Sequence, residues 1–556
     1  LAAPTFSIGV DYGTNSVRAL VVETSTGEEV ACTTFDYPSG DQGVLLSDHD
    51  VNLARQNPAD IVQGFRVAVA EAVREAERTS EFSVDQVIGI GSDTTGSSPL
   101  PVDASGTPLI SQSQYSDDLA AQIWLWKDHT AHQEAEDITQ IALETGEPYL
   151  AKCGGTYSSE WFWSKVWKCA KDHPDVFAAA HSWMELADFV PYQITGATDL
   201  ASFPRSVCPA GHKAMYSESW GGLPSNTFLD KLNPKLTDLR QRLYDVAVPA
   251  DQRAGGLSVD FAEATGLRPG TPVAVGIMDA HAGAVGSGCK PGTLVKIMGT
   301  STCDVMVQPK DRPLADIPGV CGIVDGSVIP GMIGIEAGQS AVGDLFNWFV
   351  RFMGDGQISH DQLSAQASQL RPGESGLLAL DWQNGNRTIL VDARLSGLIV
   401  GLSLQSNPAE VYRALIEATA FGARTIIDRV REYGVPIAEI VTGGGIAEKN
   451  PMAMQIYADV LGMPIRLARS SQACALGAAI FGSVVGGAHR DVLTAQKAMT
   501  GLKSMEYTPN PDAQSTYNRL YSLYRNMHDS FGGVVATADL SEAMKTLLNI
   551  RDEVRQ

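Results

Sequence analysis

Positive charge is what this sequence lacks most. Its 556 residues hold 41 Lys+Arg against 64 Asp+Glu, a formal net charge of -23. A field of that sign repels phosphate backbones and anionic lipid, so neither a nucleic acid nor a membrane is expected as a partner. Paired cysteines are missing too. The eight, at 32, 153, 169, 208, 289, 303, 321 and 474, include no Cys-x-x-Cys, and read as small buried hydrophobes in a reducing compartment. No run of eighteen apolar residues offers a membrane span. The opening LAAPTFSIGV has no basic stretch ahead of its apolar residues, so no secretory signal is read and a cytoplasmic location is expected.

The length exceeds what one hydrophobic core fills, and two large domains are expected. Phe6, Ile8 and Val10 start a strand, and residues 17 to 23 return as a second, joined through the turn DYGTNS. Residues 28 to 36 read as a third strand. Residues 57 to 78 read as a helix, with Ile61, Phe65, Val69 and Val73 on one stripe. A short apolar run at 87 to 91 ends in SDTTGSSPLPVD, a strand followed by a polar loop of the kind that forms sites. Residues 118 to 141 and 160 to 171 read as helices. Between 200 and 260 the pattern weakens, and SVCPAGHKAMYSESWGGLPS reads as an ordered site loop. A second β-rich start follows near 273, and GTLVKIMGTSTCDVMVQP repeats the strand, turn, strand of the N-terminus. This is a weak internal duplication. It divides the chain into 1–265 and 266–556.

Three glycine-bearing turns and a few charged residues carry the candidate chemistry. In the first turn, Gly13 opens a tight hairpin whose backbone N–H groups can cup an anion, with Thr14, Asn15 and Ser16 adding donors. Asp11 beside it suits a hydrated Mg²⁺ next to phosphate; the bland alternative is a polar hairpin corner. Gly299, Thr300 and Ser301 make a second such turn, and two of them fit a phosphate chain clamped between lobes. Gly443, Gly444 and Gly445 stand between a strand and a helix, where backbone approaches a ligand closely and the helix start favours negative charge. That stretch is neither Gly-x-Gly-x-x-Gly with a downstream acid nor a P-loop. Asp279, in GIMDAHAGAVGSG, sits where a strand gives way to a small-residue helix; it is a base, a metal ligand or a helix cap. Lys213 reads as a binder of hydroxyl or anion, or as a solvated loop charge. Glu336, a carboxylate between small residues and a helix start, reads as a site residue, or as a helix cap or first-turn charge. The tryptophans at 124, 126, 161, 163 and 167 read mostly as core, with one available to floor a sugar pocket.

These pieces, in this order and spacing, resemble the FGGY family of carbohydrate kinases. The resemblance runs through IGVDYGTNSVRALVV, GIGSDTTGSSPLPVD, LWKDHTAHQEA, SSEWFWSKVWKC, LADFVPYQITG, RSVCPAGHKAMY, GIMDAHAGAVGSG, GTSTCDV, TGGGIAEKNPMAMQIYADVLG and ACALGAAI. The GHKAMY and SESWGGLPS pieces are similar to the branch that uses L-ribulose. The tryptophan-rich segment departs from the commonest family form, which has a proline ahead of the lysine. The resemblance implies an α/β fold of two actin-like, ribonuclease-H-like domains around an ATP cleft. It implies transfer of the γ-phosphoryl group of ATP to the 5-hydroxyl of L-ribulose, within L-arabinose catabolism. It implies Asp279 as catalytic base, and Asp11 with Asp279 near Mg²⁺. It further implies that residues 13–16, Gly299, Thr300, Ser301, Gly443 to Gly445 and Asn450 hold the nucleotide, that Lys213, Glu336, Ser98 and Asp279 hold the sugar, and that the protein is a homodimer. The alternatives are a kinase of the same family for xylulose, ribitol or glycerol, or a non-catalytic actin-like sensor.

Overall fold

The computed structural model describes residues 3–79, 81–354, 356, 358–535 and 540–555. Two seven-stranded sheets organise it. The first contains β1 (Phe6–Tyr12), β2 (Ser16–Glu23), β3 (Glu29–Asp36), β4 (Val87–Thr94), β5 (Arg253–Gly256), β6 (Pro272–Ala274) and β7 (Ile277–Met278). Its order is β5-β6-β4-β1-β2-β3, with β7 also paired to β4. The second contains β8 (Thr293–Met298), β9 (Thr302–Pro309), β10 (Gly322–Asp325), β11 (Met332–Ala337), β12 (Glu439–Gly443), β13 (Ile465–Ala468) and β14 (Leu502–Tyr507), in the order β10-β11-β9-β8-β12-β13-β14.

The two sheets repeat one plan. β1-β2-β3 is an antiparallel meander with β4 and then β6 added parallel beside β1. β8-β9-β11 is likewise antiparallel, with β12 and β13 added parallel beside β8. The duplication suspected from two hairpins is thus a duplication of topology. Because β6 and β7 complete the first sheet, the division expected after 265 falls inside it, and the chain leaves that sheet only at Met278.

Small-residue helices join the lobes. α1 (Pro58–Ala76), capped by the Asn57 side chain, buries its Ile61, Phe65, Val69 and Val73 stripe. Asp279–Gly286, here α2, follows β7 directly, and Ala473–Val485, here α3, carries ACALGAAIFGSVV. A Cβ on Gly286 would stand 1.9 Å from the Ala473 carbonyl oxygen, and one on Gly477 would stand 1.9 Å from that of Ala282. The two helices therefore touch backbone to backbone. α3 lies equally close to the first sheet: a Cβ on Gly9 or Gly91 would fall 1.7 or 1.9 Å from carbonyls of Ala475 and Ala478. Larger side chains would hold these layers apart.

Two segments differ from the sequence reading. Residues 118 to 141 are not one helix: Ile123–Trp124 pairs as a strand with Arg55–Gln56, and the helix starts at His132. Trp124 packs there under the Arg55 guanidinium, 3.6 Å from its ring centroid, a tertiary contact that local propensity does not reveal. Within 200 to 260, Val207–Lys213 is a helix started by the Ser206 side chain. All seven of its residues are buried, so it shows no amphipathic period to read.

Candidate functional site

Strand register builds the carboxylate end of the site. Asp11 on β1 stands opposite Asp93 on the parallel strand β4, and Met278 of β7 stands opposite Thr94. Three adjacent strand ends so deliver Asp11, Asp93 and Asp279 to one edge of the sheet, the edge where open α/β sheets place ligands. Asp93 is completely buried, and neither of its carboxyl oxygens receives a hydrogen bond from the described residues. Arg18 offers one guanidinium nitrogen to Asp11 at 3.4 Å. Ligand atoms of Asp11, Asp93 and Cys474 lie within 4.8 Å of one another; Asp279 stands outside that set.

Crowding and burial raise these acids. Burial, with Asp11 adding repulsion, pushes the Asp279 carboxyl up to about 7. Burial and the charges of Asp11 and Asp279 push Asp93 well above the carboxylate range. Asp279 is the first residue of α2 and not its cap: Met278 holds the cap position, and Asp279 Oδ1 accepts from the adjacent Ala280 N–H at 2.6 Å.

The two hydroxyl-rich turns are alike in kind but differ by one residue in length. Gly13 N–H donates to the Ser16 carbonyl at 2.9 Å, and Gly299 N–H to the Ser301 carbonyl at 2.9 Å. Thr14 and Ser16 are half-buried, and Asn15 is exposed. Thr14 is anchored by the Trp126 indole N–H, 3.0 Å from its hydroxyl. The second turn is pinned to the helix Gly343–Phe352: Gly343 N–H donates to Gly299, and Val342 and Asp344 N–H to Thr300. Gly444 has φ 97°, and a Cβ there would meet the Met298 carbonyl oxygen at 2.4 Å. Only glycine lets β12 end against β8 in this way, leaving Gly444 and Gly445 exposed. Asn450 caps the next helix through its side-chain Oδ1, which accepts from Ala453 N–H at 3.0 Å.

A second charged group lies across the lobes. Lys213 Nζ contacts Glu336 Oε1 and Oε2 at 3.0 and 3.3 Å, one residue from the end of a first-lobe helix, the other on β11. Lys213 is thus neither a loop residue nor solvated. Its ammonium stands 5.5 Å from the ring centroid of Trp161. Two buried histidines complete the cluster. His281 Nε2 lies 3.1 Å from His212 Nε2, and Glu336 Oε2 is 3.3 Å from His212 Nδ1 and 3.5 Å from His281 Nε2. Burial works to raise the Glu336 carboxyl, but Lys213 and the histidines outweigh it and hold it well below the carboxylate range. Burial likewise pushes His281 down to about 4. Glu336 is therefore a fixed anion between a cation and two neutral rings.

Not every expected residue faces this space. Ser98 has no exposed surface, and its hydroxyl is spent on Thr95 Oγ1 at 2.9 Å and the Trp126 backbone N–H at 3.2 Å. Its peptide N–H donates to buried Glu185, while Lys165 donates to the carbonyls of Ser97, Trp124 and Leu125. Ser98 is thus part of the scaffold under the site, and the expectation that its side chain holds sugar is not met. Sequence reasoning missed Asp93 and the pairing of His212 with His281. Asp93 carried a signal in its strand-end position before TTGSS. The histidine pair carried none, since 69 residues separate its members.

Known proteins bear on this geometry. Residues 6–286 match the N-terminal domain of the FGGY family of carbohydrate kinases, and residues 294–485 match its C-terminal domain. A ribulokinase from Halalkalibacterium halodurans is 41% identical over 98% of this chain and 98% of its own. A ribulokinase from Shouchella clausii is 40% identical over 99% and 98%. The xylulose kinase of Rhodospirillum rubrum shares the fold with TM-score 0.75 at 23% identity, covering 95% of this chain and 99% of its own. With both family domains matched in order and full-length relatives this similar, the chain belongs to the FGGY family of carbohydrate kinases and is a sugar kinase with the two-domain actin-like fold.

Proposed function

We propose that the protein transfers the γ-phosphoryl group of ATP to the 5-hydroxyl of L-ribulose, giving L-ribulose 5-phosphate in L-arabinose catabolism. Its full-length relatives named ribulokinase support the substrate. The observation that carries the reaction is Asp279, half-buried on the edge shared with Asp11 and Asp93, with a carboxyl raised to about 7. A primary alcohol attacks phosphorus poorly unless its proton is removed as the new bond forms. Asp279 takes that proton from O5, and a base whose pKa lies near working pH suits the task. The new bond joins O5 to the γ-phosphorus, the bond to the β-phosphate bridging oxygen breaks, and ADP leaves with that electron pair. Residues 13–16 and 299–301 line the phosphate chain, and Gly443 to Gly445 with Asn450 border the nucleoside. Lys213 donates to, and Glu336 accepts from, the hydroxyls of the sugar.

A divalent cation, Mg²⁺, fits this edge. Asp93 holds two buried oxygens that no N–H donor among the described residues satisfies, beside the Asp11 carboxyl, and hard carboxylate oxygens are the donors such an ion takes. Asp11 and Asp93 would hold it, with Asp279 nearby; when bound it neutralises charge on the transferring phosphoryl group. The lobes are assigned as two domains with a boundary between α2 and β8. A homodimer in the cytoplasm is part of the same reading.

Intact carboxylates at all three strand ends disfavour a non-catalytic sensor, which has no use for a raised acid. The experiment is ADP release with Mg-ATP against L-ribulose, D-ribulose, xylulose, ribitol, L-arabitol and glycerol. The highest kcat/KM is expected on L-ribulose. A highest value on xylulose or glycerol would keep Asp279 as base and overturn the substrate.

A further inference from the structure

Arg387 is a cation that the reaction as described leaves unused. It lies on the turn after Trp382, in the second lobe. Its guanidinium makes no hydrogen bond to the described residues. The nearest carboxylate is Glu160 of the first lobe, at 3.9 Å, and the side chain is 26% exposed. That distance exceeds hydrogen-bond reach, so the guanidinium's N–H donors are unspent on the described residues. Burial works against its charge, but Glu160, and further off Glu336, help outweigh it and hold it up.

The turn holds Arg387 beside the Glu336 strand. The Thr388 hydroxyl accepts from Gly338 N–H at 2.9 Å, two residues past Glu336, and Ile389 N–H donates to Gly319 at 2.8 Å. Asn386 and Asp392 exchange both backbone hydrogen bonds, at 2.8 and 2.9 Å. Ile389 and Val391 have φ of 92° and 51°. β-Branched residues avoid such conformations unless their surroundings impose them, and such strain clusters at ligand sites. On the facing lobe, Glu160 adjoins Trp161, the ring beneath Lys213. Lys213, Trp161, Glu336 and Arg387 therefore surround one end of the cleft.

We infer that Arg387 reaches the sugar from the second lobe and donates to the C2 carbonyl oxygen of an open-chain ketose, so that it separates ketoses from pentitols. A carbonyl oxygen only accepts, and a planar guanidinium only donates, in a fork that suits an sp² oxygen. A pentitol carries at C2 a tetrahedral hydroxyl instead: its oxygen accepts from the fork less squarely, and its own proton needs a further acceptor that the guanidinium cannot be. Lys213 and Glu336 together satisfy hydroxyls of either class, so the discrimination falls to Arg387.

This inference rests on the L-ribulose reading, and the test keeps the two apart. ADP release is measured for the unaltered protein, Arg387→Gln, Arg387→Lys and Glu160→Gln. The sugars are L-ribulose and the two pentitols made by reducing its C2 carbonyl, ribitol and L-arabitol. Failure of the unaltered protein to use a pentulose would overturn the L-ribulose reading itself, and this inference with it. With that reading upheld, Arg387→Gln is expected to lower the ketose-to-pentitol ratio of kcat/KM at least tenfold, with KM for ATP unchanged. Arg387→Lys is expected to recover part of the ratio, and Glu160→Gln to leave it as it was. The same loss on all three sugars, or an unchanged ratio in both Arg387 variants, would overturn the inference and leave Arg387 as a contact between lobe rims. Should Arg387→Gln fail to fold, the ratio in Arg387→Lys decides: no fall below the unaltered protein overturns it.

Discussion

Asp93 and Asp279 show how the same side chain takes different work from its surroundings. Asp93 is sealed and raised well above the carboxylate range, whereas Asp279 is half-buried at the mouth of the cleft with a carboxyl near 7. Asp279→Asn removes the proton acceptor and keeps the shape. It should cut kcat by roughly 10²-fold or more, the scale of general-base catalysis, while nucleotide affinity stays nearly intact. Near-normal turnover in that variant would dismiss the base role. Glu336 behaves oppositely, because Lys213 and two histidines hold its pKa down. Removing one partner of a buried pair strands the other charge, so Glu336→Gln should lose about 3–5 kcal/mol of stability at neutral pH. A depressed folded pKa stabilises fully above the unfolded carboxylate value, about 4.3, and loses that stabilisation as pH falls toward the folded value. The stability gap between unaltered protein and variant should therefore be constant from pH 8 to about 5 and shrink below about 4.3. Denaturation midpoints across that range check it; a gap that widens in acid would mean the pair is not ionised. Asp11 and Asp279 were legible from their strand-end positions. Asp93 and the histidine pair became visible only through register and packing.

Among the elements, the small-residue helices matter most to the site, because α2 carries Asp279 and α3 braces the sheet that carries Asp11 and Asp93. Gly9 on β1 leaves no room for a Cβ, which would fall 1.7 Å from the Ala475 carbonyl oxygen, a backbone atom. Gly9→Ala should thus separate strand from helix, with a stability loss of about 1–3 kcal/mol or more from overpacking. It should also lower kcat, since Asp11 lies two residues on. A denaturation midpoint within error of the unaltered protein would show that α3 slides aside freely. The hairpins, α1 and the triple-glycine turn were all legible, because period and turn chemistry act over a few residues. The helix bearing Lys213 was not, since burial on every side erases the polar face that marks a helix in sequence.

At the scale of the whole molecule, the two sheets meet through α2 and α3, and the proposed sugar group joins Lys213 of one lobe to Glu336 of the other. Such a cleft is expected to close on its ligands and so to exclude water, which competes with the sugar as acceptor. Small-angle scattering on Asp279→Asn should show a smaller radius of gyration with Mg-ATP and L-ribulose together than with either alone. An identical radius in all states would mean that the lobes are fixed. Composition, strand-turn-strand repetition and the order of the glycine turns determined the two-lobe α/β plan, the hydroxyl-rich turns and the family, since each is written in neighbouring residues. What only the tertiary structure decided is which charges meet: Asp93 against Asp11, His212 against His281, Lys213 against Glu336. These pairings join residues far apart in the chain, and strand register and helix contact, not local pattern, set their distances and so their charge.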